Sequence, residues 1–595
     1  MNIPSLQQII TQSKETFTRF PLSVISSLIA MFLMLYLIEV EGPESDYFLR
    51  LIKIVFTASL GVFMFTALRL LGDKNPLCLL GIVALVGYYF ILPDMEHPSF
   101  IVFERHFFLI LGFFIMIFWA NYWKSNPSNE EFWEWTQRVS FGFVTSIFFS
   151  IVLYAGLCGA LYSIVTLFSL DIADKRYAQL VLLVIGLFGV NYFLSQIPKP
   201  TEVLHAHTYS KVENIFTKFI LTPLVIGYFL ILYSYTFKIL ITQSFPKGIL
   251  AWIIIAFSIV AVITYLFWTP IWSEKEKKYR RFLFLALFLQ TLMLGLAISM
   301  RVGEYAWTEH RVLVALFGLW LFGISLYFLL FKDAKYKWVF ISLSTLIMIS
   351  QISAYEIGKK SQQHRLQNIL NTAKPLSEKS DLQTRYEISD IIQYLHSKHG
   401  IESLQSIIPD IVQSYQTSNL DEKDKYYAYD FPSFATKELG FTHINRWQRM
   451  AHEEGNIPFS LYRSPFASLD ISDYDWMVES SYIKDIEEGK SRRPYVNFQA
   501  MILEIDTMFT LTPETLEIKE NNITIANIAL KTFFTTIVND EALKLSPYEE
   551  VQDKDKLNFT YHDNNVSIKL YILEISTDQN TTYEHIRTKV LYKRL

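Results

Sequence analysis

From about residue 21 to residue 355 the chain alternates apolar stretches, most of them 17–23 residues long, with short polar loops. As helices, such stretches match the roughly 30 Å hydrocarbon thickness of a bilayer. Lipid offers no hydrogen bonds to bare backbone, so only helices or closed barrels cross it. The pattern predicts eleven spans, near 21–40, 54–71, 76–92, 106–123, 139–169, 177–197, 219–241, 250–268, 282–300, 310–331 and 338–355. The fifth is free of charge from Val139 to Leu170, too long for one upright crossing. We read it as one helix that is tilted or continues as an interfacial turn, which Gly156 and Gly159 could bend; two very tight helices are the competing count.

After Tyr355 the pattern changes to that of a water-soluble chain. GKKSQQHRLQNILNTA (358–373) continues the last span as a stalk, with Leu366, Ile369 and Leu370 at helical spacing. In 385–400, Ile388, Ile391, Ile392 and Leu395 form a helical apolar stripe that Gly400 terminates. A short helix is expected at 432–439, ending at Gly440. From Asp475 onward alternation dominates. Strands are expected at 496–505, 515–528 (a hairpin turning at 520–522) and 557–575 (turning at 563–565), with a helix at 529–540. The fold class is therefore a polytopic α-helical membrane protein of about eleven transmembrane helices with a C-terminal soluble α+β domain. The expected division is 1–20, an N-terminal cytoplasmic segment; 21–355, the spans; 356–374, the stalk; and 375–595, the α+β domain. Residues 1–20 lead into a first apolar run too long for a signal peptide's core, and no small-residue cleavage site follows it.

Charge supplies an orientation. With the N-terminus in the cytoplasm, the cytoplasmic segments hold 17 Lys and Arg against 7 in the opposite loops, and KEKKYRR (275–281) is the strongest block. Eleven crossings then place the C-terminal domain outside the cytoplasm. Residues 1–356 carry 26 basic and 22 acidic residues, and residues 357–595 carry 27 and 35, giving +4 and −8. An acidic tail argues against nucleic acid as a partner. The two cysteines, Cys78 and Cys158, both lie in apolar segments, so the tail has neither a disulfide nor a thiolate metal site.

Candidate chemistry is sparse. Ionisable side chains inside spans are costly and mark function, and Lys238 in the seventh span is the clearest; snorkelling to the headgroups is its plain explanation. The densest polar cluster is RVGEYAWTEHR (301–311), which joins spans nine and ten and packs Arg301, Glu304, Tyr305, Glu309, His310 and Arg311 together. In the predicted topology it shares a side with the loop 238–248, which carries Lys247. These eight residues are the candidate ligand-binding set, for an anionic lipid headgroup or for docking the tail. An interfacial salt-bridge network closing two helix ends is the competing account. No phosphate-binding loop, GxSxG elbow or paired CxxC is present, and HEEG (452–455) lacks the second histidine of a zinc-protease motif. No catalytic residue, metal or cofactor is expected. Asn-x-Ser/Thr triplets begin at Asn522, Asn558, Asn565 and Asn580, and matter only in a glycosylating pathway.

Several segments together resemble the bacterial membrane-protein family known as domain of unknown function DUF4153. They are NYFLSQIP (191–198), YSYTFKILITQSFPKG (233–248), RVGEYAWTEHR (301–311) and LFGISLYFLLFKDAKYKWV (321–339), continuing through GKKSQQHRLQNIL (358–370) and ISDIIQYLHSKHGIESL (388–404). The resemblance covers roughly residues 20–410. It implies a bacterial cytoplasmic-membrane protein with a multi-span region followed by a soluble region, and transfers no reaction, ligand or catalytic residue. Three functions fit this pattern: a non-enzymatic envelope anchor, sensor or binding protein that presents an extracytoplasmic module; a permease or lipid-handling transporter with its site near the outer ends of spans seven, nine and ten; and a membrane-embedded transferase using Glu304 or Glu309. The first is preferred. Its partners are membrane lipids and an envelope protein or lipid-linked ligand.

Overall fold

The computed structural model describes residues 6–40, 45–72, 75–93, 95, 98–199, 211–242, 249–268, 277–373, 375–417, 430–446, 449, 460–462, 473–483, 507–520, 523–539, 554–577 and 583–595. Among these, ten helices are long and apolar enough to cross a membrane, and Pro76–Ile91 is a shorter apolar helix in the place of the third span. The protein is thus a mostly helical, multi-span chain with a small C-terminal sheet domain.

Large apolar side chains such as Phe90, Leu167 and Ile352 point outward, while small hydroxyls lie between helices. Ser23 and Thr66 hydrogen-bond at 2.9 Å across the first two spans, and Trp119 donates to Ser344 at 2.9 Å. Small and hydroxylic contacts of this kind hold helices together where lipid is as apolar as the side chains. The fifth span is one unbroken helix, Asn129–Phe168. At 1.5 Å per residue its 40 residues far exceed a single upright crossing. Its first turns bury Phe132, Trp133 and Trp135, whereas Ile151, Val152 and Leu167 are exposed. Neither Gly156 nor Gly159 has a neighbour within 4 Å of an added Cβ, so neither marks a packed bend.

The fourth span begins earlier than its hydropathy suggests, running Phe100–Ala120. Glu104 and Arg105 therefore sit inside the helix with His106 rather than before it. The helix tolerates them because partners await: His106 meets Ser59 at 3.0 Å and Tyr88 at 2.9 Å. The eleventh span and the stalk form one helix, Lys337–Thr372.

The chain divides into two compact units, Met1–Ser377 with Ile391–Phe441, and Glu378–Asp390 with Thr442–Leu595; one boundary falls inside the helix Leu382–His399. The expected helix near 432–439 is Asp430–Glu438, and the chain turns at Gly440 with φ 97°.

In the second unit, strands β1 (Ser460–Tyr462), β2 (Trp476–Ile483), β6 (Asn558–His562), β7 (Val566–Thr577) and β8 (Tyr583–Arg594) make an antiparallel sheet ordered β1-β7-β8-β2, with β6 also on β7. Strands β3 (Thr507–Leu511), β4 (Thr515–Glu520) and β5 (Ile523–Ala529) make a second sheet. The expected hairpins are β4–β5 and β6–β7, and Asp563 Oδ1 caps the second turn by accepting from Asn565 N and Val566 N at 2.7 and 2.8 Å. The helix Lys531–Asn539 follows β5, and its Phe534 and Ile537 join Leu516, Ile572 and Val590 in one core. The strand expected at 496–505 lies outside the described residues.

Candidate functional site

The turn between spans nine and ten is built around exposed backbone ends. The ninth helix ends at Tyr305, Ala306 takes a left-handed conformation at φ 56°, and the tenth helix starts at Glu309. A helix C-terminus leaves carbonyls without partners. Here Arg311 Nη1 donates to Tyr305 O at 2.9 Å and Ala306 O at 2.6 Å. From the eleventh helix, the buried Gln362 donates to Tyr305 O at 2.9 Å and Trp307 O at 2.8 Å, while Ser361 Oγ accepts from Trp307 N at 3.1 Å. The guanidinium groups of Arg301, Arg311 and Arg365 lie 5.5–5.8 Å from the Tyr305 ring centre, within cation–π range.

Two features draw the eleventh helix onto this turn. Gly358 has no side chain where a Cβ would lie 2.6 Å from Glu309 N and 3.1 Å from Thr308 C. Tyr355, a turn earlier, packs with Ile101 and Val312, and Arg105 lies 5.4 Å from its ring centre.

At the centre is Glu309, fully buried. Its Oε2 accepts a hydrogen bond from the hydroxyl of Tyr394, on the helix Leu382–His399. His399 Nε2 stands 4.0 Å from the same oxygen. Glu104 Oε1 faces His310 Nδ1 at 3.4 Å, and Glu309, His310 and Lys398 lie within electrostatic reach of Glu104. Lys398 Nζ sits 4.6 Å over the Phe100 ring. Glu309 Oε1, Glu104 Oε2, Tyr355 OH and His399 Nε2 are buried without a hydrogen-bond partner among the described residues. Burial first, and then the Glu309 charge, push the Tyr394 hydroxyl well above the usual tyrosine range, keeping it a donor. Burial lowers His399 below the ordinary histidine value and outweighs the opposing pull of Glu309.

The structure thus brings Arg301, Tyr305, Glu309, His310 and Arg311 into one network with the stalk and the segment beyond it. Glu304 is exposed on the last turn of the ninth helix, and Lys238 is exposed on the seventh span. Lys247 lies outside the described residues. Sequence reasoning missed Glu104, His106, Tyr355, Gln362, Tyr394 and His399. The signal for the first two was available: Glu104-Arg105-His106 is a run of three ionisable residues within one helical turn of an apolar stretch. The arrangement is chemically a fastening, in which donors and acceptors from spans four, nine, ten and eleven and from the helix Leu382–His399 converge on one turn. Among the described residues, no group of three or more His, Cys, Asp or Glu side chains could hold a metal ion.

The model of a family described as "Domain of unknown function (DUF4153)" matches residues 28–386. The "Uncharacterized protein PM1469" of Pasteurella multocida (strain Pm70) is 24% identical over 354 residues. That match spans 58% of this chain and 58% of the relative's own length, under two thirds of each. No solved structure matches the chain.

Proposed function

The chain belongs to the DUF4153 family, and we propose that within it this protein is a non-enzymatic membrane anchor that carries its C-terminal module on the extracytoplasmic side of a bacterial inner membrane. The observation that carries this reading is the buried Glu309–Tyr394 hydrogen bond. The polar groups that a transporter would turn toward a cavity are bound instead to the segment that follows the last span. Arg311 and Gln362 are likewise engaged with backbone carbonyls of the turn. Orientation rests on the excess of Lys and Arg in the loops assigned to the cytoplasm. Recognition of an envelope component then falls to the module.

Two measurements test this. In whole cells, with Cys78 and Cys158 replaced by Ala, a membrane-impermeant maleimide should label a cysteine placed at the exposed Ile523 and not one placed at the exposed Lys14. Loss of residues 442–595 should reproduce the phenotype of losing the whole chain. Labelling at Lys14 alone, or full function retained by the chain without its module, contradicts the proposal.

A further inference from the structure

The sixth span is interrupted by a π-helical stretch, Val184–Gly189. Such turns loosen the backbone ladder and frequently occur at functional sites. Here the carbonyls are met from neighbouring spans: Ser27 Oγ donates to Gly186 O at 3.0 Å, and Ser146 Oγ to Gly189 O at 2.6 Å. Added Cβ atoms on Gly186 and Gly189 would each lie 2.8 Å from a neighbour, Met31 and Ser150 respectively. The widened turn is therefore held in place by close approach to the first and fifth spans.

This turn walls one side of a crevice of about 290 Å³ between spans two, five and six. Phe63, Phe143, Ile147, Ile151, Ile185 and Phe193 contribute to its lining. Ile147, Ile151 and Ile185 are exposed, so the crevice is continuous with the surface that meets hydrocarbon. It is many times the ~30 Å³ share of a water molecule, yet its apolar walls offer water little. Beyond its Tyr154–Val181 end the sixth helix begins with Lys175 and Arg176. Glu39 meets Arg176 at 2.8 Å and Lys175 at 3.4 Å, with Asp171 and Asp174 adjacent in sequence. Both signs of charge thus meet roughly one and a half helical turns beyond the Val181 end of the crevice.

We propose that the crevice holds one acyl chain of a zwitterionic phospholipid as a fixed constituent of the protein, with its headgroup at the Glu39–Lys175–Arg176 rim. The apolar length of the crevice selects hydrocarbon. The mixed rim matches a phosphate and an ammonium together; a headgroup of net negative charge would meet Glu39, Asp171 and Asp174 with nothing of its own to offset them.

The test is native mass spectrometry of the full chain released from nanodiscs of mixed phosphatidylethanolamine and phosphatidylglycerol. Wild type should retain one slowly exchanging phosphatidylethanolamine. So should Ile352→Trp, which adds the same bulk to an exposed face of the eleventh span. Ile147→Trp, whose indole fills the crevice, should lose it; Ile151→Trp serves where Ile147→Trp does not assemble. Retention by a folded crevice-filled variant, retention of phosphatidylglycerol alone, or a bound mixture that mirrors the nanodisc (bulk annular lipid only) overturns the proposal.

Discussion

Tyr394 donates its hydroxyl to Glu309, a carboxylate with no exposed surface at the first turn of the tenth span. Burying a carboxylate is costly unless it is paired and hydrogen-bonded. This contact therefore ties the turn between spans nine and ten to a helix that follows the last span, about 85 residues away in sequence.

Replacing Tyr394 by Phe keeps the ring and removes the donor. The Glu309 carboxylate loses its hydroxyl partner, and a hydrogen bond to a charged group contributes about 1.5–3 kcal/mol. Native-state hydrogen exchange of residues 391–399 should show opening easier by that amount, with exchange in β7 and β8 unchanged.

Gly358→Ala places a methyl against the backbone of Thr308 and Glu309, which cannot swing aside as a side chain would. Overpacking of this kind costs about 1–3 kcal/mol. Gly323→Ala, where nothing lies within 4 Å, should be neutral or slightly stabilising. Comparison of the two thermal midpoints in one detergent checks this.

Gln362→Met preserves length and apolar bulk but donates to neither carbonyl. Trp307 O loses its Gln362 donor, whereas Tyr305 O keeps Arg311. We expect about 1–3 kcal/mol of local destabilisation, read as faster exchange across residues 305–309.

His396 and His399 are both held below the usual histidine value, in each case mainly by burial. The closed segment keeps them neutral, and the opened segment binds protons below about pH 6.5. Opening therefore takes up protons, and its free energy falls as pH falls. Protection of residues 391–417 should be full above about pH 6.5 and decline on acidification. His396→Gln, which keeps a polar side chain beside Phe431 without a titrating ring, should reduce that slope.

Much of this fold was legible in the sequence, because long apolar runs and alternating strands are local signals. Ten of the eleven expected spans, a shorter apolar helix in place of the third, the continuous stalk, the Asp563 turn and the helix after β5 follow from neighbouring residues alone. The 301–311 cluster was visible as a concentration of charge. Its partners were not legible. Tyr394 and Gln362 look like ordinary members of helices, and only tertiary packing shows which faces meet the turn. Hydropathy also hid Glu104, because a window average starts the fourth span at His106, although the helix begins at Phe100.

The tie between the turn and the segment after the last span requires Glu309 and Tyr394 to act as one fastening. A double-mutant cycle of Glu309→Gln and Tyr394→Phe, read by hydrogen exchange of residues 391–399, measures that coupling directly. A coupling of at least about 1 kcal/mol is expected, the double variant being little worse than the poorer single one. Strict additivity of the two substitutions would contradict it.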